Sequence, residues 1–231
     1  MTAKATTTHR KVVRPKSLTD LAVDMIRAEI VEGRLQLGEQ LSESQLANDL
    51  GISKTPVREA LFQLKLQGLV EVHPQRGTFV FQLSEGDVHE ICGFREVIEC
   101  AALAKAMEDA REALADTLQG ILDETAAVEK RGDFAQLPRL DAQFHEAFIA
   151  HAGSTYLNVS YNLISYKIQA LRARLPEHDP DVDECGHNHA LIVAEIKAGN
   201  TGAAQEILRL HIRDTERSYI SASKKRNVLA A

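Results

Sequence analysis

The 231-residue chain has no tryptophan and only three cysteines, Cys92, Cys100 and Cys185. An odd number of cysteines without C-x-x-C spacing argues against a disulfide framework and indicates buried thiols in a reducing compartment. No apolar run approaches the roughly 20 residues that span a bilayer, and the N-terminus lacks the hydrophobic segment of a secretory signal. We therefore expect a cytoplasmic protein without a membrane segment.

Charge is divided unevenly along the chain, whose net charge is −6. Residues 1–80 carry 11 Lys and Arg against 9 Asp and Glu, whereas the remainder carries 16 against 24. Residues 1–16 contain no acidic side chain and five basic ones, Lys4, Arg10, Lys11, Arg14 and Lys16. Such a basic arm can add phosphate contacts at any DNA sequence, although a solvated, unfolded tail has the same composition. The length favours two domains, which we place at 17–83 and 84–222, followed by a tail at 223–231.

Two short helices with a tight turn between them are predicted around residue 51. Ser42-Glu43-Ser44-Gln45 reads as a capping box that begins the first helix, and Gly51 ends it. In the second helix, Thr55 can act as the cap and Pro56 can occupy the first turn. Its apolar stripe consists of Val57, Ala60, Leu61 and Leu64. This is a helix-turn-helix pattern, with basic and hydroxyl side chains where a recognition helix meets DNA.

A helix before this pair and a β-hairpin after it complete the pattern. Apolar residues at helical spacing run through residues 18–30. Two β-prone segments, 69–72 and 78–81, flank the turn Pro74-Gln75-Arg76-Gly77 and predict a hairpin, or wing. Arg76 and Gly77 at the tip suit contact with phosphate or the minor groove, because glycine lets the backbone approach closely. The order of these elements, three helices followed by a hairpin, favours a winged helix-turn-helix domain over a helical domain that merely contains the motif.

Beyond residue 84 the pattern is helical almost throughout. Ser84-Glu85-Gly86-Asp87 caps a helix that runs to about residue 108. Further helices are predicted at 111–131, 134–151, 156–175, 182–198 and 201–222. No strand pattern occurs in this part, so we expect an antiparallel helical bundle. The predicted fold class is therefore mainly α, a winged helix-turn-helix followed by an all-helical bundle.

The bundle contains one carboxylate and three imidazoles in a pattern typical of a metal site. Asp141 and His145 are four residues apart on one helix, so their side chains leave the same face. His189 and His211 lie 22 residues apart on the last two helices, and a helical hairpin can bring them level. Together these groups can bind a divalent transition metal. Taken singly, a helical histidine is more often a surface or hydrogen-bonded residue.

Residues 15–83 resemble the winged-helix domain of the GntR superfamily of transcription regulators. The match is carried by Gly33, residues 37–43, Leu46-Ala47, residues 50–53, residues 55–61 and Gly77. By position, the resemblance implies DNA contacts at Ser44, Ser53, Lys54, Thr55, Arg58 and Gly77, to which the wing tip adds Arg76. Two positions depart from the family pattern, since a long basic residue is common at Ser44 and arginine at Lys54. Lysine lacks the bidentate fork for guanine, so the operator can differ from that of relatives.

Residues 84–222 resemble the FCD effector-binding domain of the FadR-type branch. The metal pattern of that family is an Asp and a His four residues apart, followed by two His on the last two helices. All four positions are filled here, by Asp141, His145, His189 and His211. The resemblance therefore implies a bound divalent transition metal. Zinc is the first choice for such ligands, and nickel, manganese and iron are alternatives.

The resemblance also implies an effector-binding arginine. An Arg on the first helix of an FCD domain commonly faces the ligand, and Arg95 occupies that place. Its guanidinium could clamp a carboxylate while an open position on the metal takes an anionic oxygen. The other reading is a surface salt bridge between Arg95 and Glu99. Arg172 and Arg174 are further candidates, and nothing in the spacing chooses between them.

The expected function is that of a ligand-responsive transcription regulator, not an enzyme. A homodimer would bind a near-palindromic operator in double-stranded DNA, and a small organic acid would shift the arrangement of its DNA-binding heads. In the family, repression relieved by the ligand is the commoner outcome. Two alternatives are a metal sensor with no organic effector and a metalloenzyme whose metal activates water beside Glu99 or Glu146.

Overall fold

The computed structural model describes residues 15–175 and 180–226, except for the side chains of 180–186, 223, 225 and 226. Most of the expected basic arm, with Lys4, Arg10, Lys11 and Arg14, lies outside the described residues, as does the tail from residue 227. Lys16 is described, and its ammonium group lies 2.6 Å from Asp24 Oδ2.

Three helices and a small sheet form the N-terminal domain. Their bounds are α1 Leu18–Val31, β1 Gln40–Leu41, α2 Glu43–Leu50, α3 Lys54–Leu66, β2 Val70–His73 and β3 Gly77–Val80. The sheet is antiparallel with β3 in the middle, where Val70 pairs with Val80 and Leu41 pairs with Thr78. The predicted hairpin is confirmed. Strand β1 was not predicted, because two residues are too few to show an alternating pattern and form a strand only beside β3.

The starts of α2 and α3 differ from the capping predictions. Ser42 caps α2 by accepting a hydrogen bond from the backbone N–H of Gln45, but Gln45 bonds Asp49 rather than closing the capping box. The N-cap of α3 is Ser53, so the prediction that Thr55 caps this helix is wrong. Within the described chain, Ser53 makes no side-chain capping bond. The reason is local, because Pro56 stands at the third helical position and has no N–H to donate.

The C-terminal domain is a helical bundle, as predicted. It comprises α4 Glu85–Asp109, α5 Arg111–Arg131, a 3-10 turn Phe134–Gln136, α6 Leu137–His151, α7 Thr155–Asn162, α8 Ser165–Arg172, α9 Pro180–Ala198 and α10 Thr201–Arg226. The capping box of Ser84 with Asp87 is present at the start of α4. In the described residues, no helix is both long enough and apolar enough to cross a membrane.

One helix boundary inside the bundle is wrong in the prediction. The single helix expected at 156–175 is two helices, α7 and α8, separated at Leu163 and Ile164. Leu163 is exposed, whereas Ile164 packs against the core. The interruption lets Tyr161 on α7 and Ile168 on α8 both be buried. No glycine or proline marks this break, so periodicity alone could not find it.

Helix α8 connects the bundle to the DNA-binding domain. The guanidinium of Arg174, just beyond the end of α8, donates to the backbone carbonyls of Ile30 and Leu35 at 2.7 to 3.1 Å. On the same helix, the ring of Tyr166 lies 4.7 Å from the guanidinium carbon of Arg27 on α1. The end of α1 and the loop after it are therefore bonded directly to the residues just after α8.

Candidate metal centre and nucleic-acid interface

The residues predicted to contact DNA are all exposed. Five of them lie at the starts of α2 and α3, namely Ser44, Ser53, Lys54, Thr55 and Arg58, and the other two, Arg76 and Gly77, form the tip of the hairpin. Arg58 is 64% exposed and donates through Nε to Glu43 Oε2 at 2.6 Å. This bond ties the first half of α3 to the start of α2.

The hairpin tip has a backbone that requires glycine. Gly77 has φ +116°, a conformation that other residues rarely adopt. A Cβ atom there would also lie 2.8 Å from Nε2 of Gln40, whose amide donates to the carbonyl of Arg76 at 3.0 Å. The tip is thus bound to β1, and Arg76 projects from a constrained turn.

Inside the bundle, the four predicted metal ligands converge. Asp141 and His145 come from α6, His189 from α9 and His211 from α10, and one ligand atom of each lies within 4.8 Å of all the others. His211 Nε2 is 3.1 Å from His145 Nε2 and 3.3 Å from His189 Nε2. Asp141 Oδ1 is 3.7 Å from His145 Nε2 and 3.5 Å from His189 Nε2.

These separations fit a metal ion. Four ligands placed about 2.1 Å from a tetrahedral zinc are about 3.4 Å from one another, and the four measured separations lie around that value. Three imidazole nitrogens and a carboxylate oxygen are also a donor set that zinc, nickel, iron and manganese accept. The residues can therefore hold a divalent transition metal without moving far.

A second layer of charged groups orients the ligands. Glu99 Oε2 lies 2.7 Å from His145 Nδ1, so a proton on Nδ1 leaves the Nε2 lone pair facing the cluster. Arg95 donates through Nε to the other oxygen of Glu99 at 2.5 Å. Arg172 is ion-paired through Nε with Asp141 Oδ2, which leaves Oδ1 toward the histidines. The ring of Phe144 stacks on that of His189 at 3.8 Å.

The protonation states suit metal binding. Burial lowers the pKa of His189 to about 3 and holds that of His211 well below its usual value, so both imidazoles are neutral. Burial alone would raise the pKa of Asp141, but the positive charge of Arg172 holds it well below the usual range. The pKa of Glu99 is likewise lowered to about 2, because Arg95 and His145 outweigh the effect of burial.

Several polar groups beside the cluster are buried and have no hydrogen-bond partner in the described part of the chain. Among the described residues, no hydrogen bond reaches Nη1 or Nη2 of Arg95, Nη1 or Nη2 of Arg172, or the hydroxyl of Tyr219. Burial of such donors is costly unless a ligand or water satisfies them. They are the groups at this site best placed to receive a ligand.

The three arginines considered for effector binding have different surroundings in the structure. Arg95 does pair with Glu99, as the alternative reading held, but the pair is completely buried rather than on the surface. Arg172 reaches the cluster, whereas Arg174 bonds the backbone of the N-terminal domain instead. Sequence reasoning missed Tyr219, because a tyrosine on a helix carries no signal of what it faces.

Two protein-family models match the chain. Residues 18–80 match the family described as bacterial regulatory proteins, gntR family, and residues 90–214 match the FCD domain. Among curated proteins, the chain is 29% identical to a probable D-xylose utilization operon transcriptional repressor of Paenarthrobacter nicotinovorans, over 88% of each chain. It is 26% identical to the gluconate operon transcriptional repressor of Bacillus licheniformis, over 83% of this chain and 80% of that protein.

Two solved structures have a similar fold. A putative transcriptional regulator GntR from Rhodococcus sp. RHA1 superposes with a TM-score of 0.76 at 25% identity, over 90% of this chain and 99% of that one. McbR/YncC of E. coli superposes with a TM-score of 0.72 over 92% and 100%, and its 22% identity makes this a likeness of fold alone.

Proposed function

Since this chain belongs to the GntR family of bacterial regulatory proteins and carries an FCD domain, it is a DNA-binding transcription regulator, and we propose that it is a homodimeric repressor controlled by a small carboxylate. The carboxylate would bind at a divalent metal ion held by Asp141, His145, His189 and His211. The family and the relatives named above are regulators, not enzymes, which argues against the metalloenzyme alternative.

The exposed starts of α2 and α3 support the proposed DNA contacts. The first turn of a helix presents free backbone N–H groups and the positive end of the helix dipole to phosphate. Lys54 and Arg58 add positive charge there, and the Ser53 hydroxyl is not used in capping. We assign Ser44, Ser53, Lys54, Thr55 and Arg58 to this contact and Arg76 and Gly77 to the wing contact.

The convergence of four ligand atoms is the observation that carries the proposed metal site. Zinc remains the first choice, with nickel, manganese and iron as alternatives. When bound, a divalent cation supplies open coordination positions that accept an anionic oxygen. The chain supplies the rest of the site, because Glu99 orients His145 and Arg172 orients Asp141.

Arg95 supports a carboxylate as the effector. Its Nε is taken by Glu99, while its two terminal nitrogens are buried and lack partners in the described residues. A carboxylate is the group that a guanidinium binds with two parallel hydrogen bonds. The relatives do not decide the effector, because one is named for an operon of a neutral sugar and another for one of a sugar acid.

Helix α8 offers a direct route from this site to the DNA-binding domain. Arg172 pairs with the proposed ligand Asp141, and Arg174, two residues later, bonds the carbonyls of Ile30 at the end of α1 and of Leu35 in the following loop. A ligand that draws on Arg172 would favour one position of α8 and hence one arrangement of the heads. The change in DNA affinity equals the differential affinity of the ligand for the two arrangements.

An exposed apolar strip supports the proposed homodimer. Phe94 and Val97 on α4 and Leu210 on α10 are exposed, and Arg213 on α10 pairs with Glu96 between them. Clustered exposed apolar side chains mark an interface more often than scattered ones do. Two copies joined here would place two winged helices for the halves of a palindrome.

Thermal melting of zinc-loaded and chelator-stripped protein against a panel of small carboxylic acids tests the proposal. We expect at least one acid to raise the melting temperature of the zinc-loaded protein only, and to change its affinity for an operator selected from random DNA. Stabilisation and altered DNA binding by zinc alone, with no added effect of any acid, would identify a metal sensor and contradict the proposal.

A further inference from the structure

Two buried ion pairs beside the metal site each cancel in charge before a metal binds. Arg95 and Glu99 form one ion pair with both side chains fully buried, and Arg172 and Asp141 form another. Histidines that bind a metal are neutral, so they add no charge. Glu146, the residue after His145, is partly buried and interacts electrostatically with Arg172 and His145, so its carboxylate can balance one of the two charges of a divalent cation. The remaining positive charge is costly in a protein interior, so the site favours an anionic ligand.

The unpartnered donors also come in two sets. Arg95 and Arg172 are each anchored through Nε, to Glu99 and Asp141 respectively, and each keeps two terminal nitrogens without a partner in the described residues. One carboxylate satisfies one guanidinium fork. Two forks, with the Tyr219 hydroxyl as a fifth donor, exceed what a single carboxylate can accept.

The charge balance favours an anion, and because two guanidinium forks lack partners in the described residues we infer that the effector is a dianion, with two anionic oxygen groups or one doubly charged group. Dicarboxylates and phosphate monoesters share this chemistry. The inference rests on the proposed function, since it specifies the ligand of the proposed effector site. Arg95 and Arg172 are then the residues that distinguish a dianion from a monoanion.

Calorimetric titration of the zinc-loaded full chain with matched pairs of acids tests the inference. The pairs are malonate with propionate, succinate with butyrate, and glutarate with valerate, and glycerol 3-phosphate is compared with glycerate. We expect the dianion of at least one pair to bind at least about tenfold more tightly, because a monoanion leaves a buried fork unsatisfied. Preference for a dicarboxylate identifies that class as the effector, and preference for glycerol 3-phosphate identifies a phosphate monoester.

This experiment distinguishes failure of the dianion inference from failure of the proposed function. If monoanions bind and their dianion partners bind no better, the present inference is wrong and the carboxylate effector stands. If no anion of either charge binds the zinc-loaded protein, the proposed function itself is contradicted.

The variant Arg95→Lys tests whether Arg95 causes the preference for a dianion over a monoanion. Lysine keeps the positive charge opposite Glu99 but loses the fork, so the preference for the dianion should fall by about tenfold while the zinc content stays at one per chain. Arg217→Lys on the exposed surface of α10 is the matched control and should keep the preference. If Arg95→Lys does not fold, Tyr219→Phe serves as the second variant, because it removes only a buried hydroxyl. It should weaken binding of the dianion several-fold more than binding of the matched monoanion. An unchanged preference in the folded variant would overturn the assignment.

Discussion

At the scale of single residues, the side chains proposed for DNA contact and those proposed for metal binding differ in their surroundings. Arg58 is exposed and bonded only to Glu43 in the described residues, so its replacement leaves the core intact. His145 and His211 are buried among charged groups, so their replacement affects both ligand binding and folding. This contrast decides which measurement is informative at each position.

Arg58→Ala should weaken operator binding by about 10- to 100-fold, the usual cost of losing one arginine contact to a base or phosphate. Fluorescence anisotropy at fixed moderate salt measures the change. Lys65→Ala, at the far end of the same helix, should have little effect. Unaltered operator binding by Arg58→Ala would mean that α3 is not the recognition helix.

His145→Ala and His211→Ala should each lower the zinc content and abolish the rise in melting temperature that zinc gives the wild type. The reason is linkage, since metal binding to the folded chain alone adds to its stability. Metal analysis and thermal melting with and without chelator measure both effects. His151→Ala, on the same helix as His145, should keep full zinc content. Full occupancy in the first two variants would refute the ligand set.

At the scale of secondary-structure elements, α8 is the connection between the two proposed functions. It carries Arg172 at the proposed effector site, and Arg174, just beyond its end, bonds Leu35 in the loop after α1. The break at Leu163 and Ile164 makes α8 a short helix separate from α7. In the proposed mechanism, a change in the position of α8 would link the two sites.

Arg174→Gln should separate effector binding from DNA response. The variant loses the charged bonds to the carbonyls of Ile30 and Leu35, while the metal ligands are untouched. Zinc content and the stabilisation by an effective acid should therefore persist, whereas the effect of that acid on operator affinity should shrink severalfold. Arg217→Gln on the surface of α10 is the control. A full response in Arg174→Gln would show that the coupling takes another route.

At the scale of the whole molecule, the proposed dimer depends on a surface that a single chain leaves uncovered. Val97 is 66% exposed in the middle of α4, an apolar side chain on a helix that otherwise packs against α10 and α6. A second copy would remove this side chain from water and position two DNA-binding domains at a fixed distance.

Val97→Glu should therefore shift the protein from dimer to monomer, because a charge buried in an apolar interface is strongly unfavourable. Light scattering after size-exclusion chromatography gives the mass, and operator binding should weaken with it. Val159→Glu, a comparable exposed valine on α7, should remain dimeric. A dimeric Val97→Glu would place the interface on another surface.

Much of this protein follows from local sequence. The helix start at Ser84, the turn at Gly51, the apolar stripe of α3 and the common face of Asp141 and His145 depend only on backbone hydrogen bonding and helical spacing over a few residues. The resemblance to the winged-helix and FCD families extended these local patterns to a complete architecture. Both the domain order and the fold class were predicted correctly on that basis.

What only the tertiary structure decided are the features that need distant residues as neighbours. Strand β1 exists because β3 pairs with it, the break between α7 and α8 because both helices must bury a face, and the burial of Arg95 because α4 packs against α6 and α10. The partners of Arg172 and Arg174 likewise lie far away in sequence, at Asp141 and at Ile30 and Leu35. Side-chain burial and ion pairing depend on how elements pack, and no short stretch of sequence contains that information.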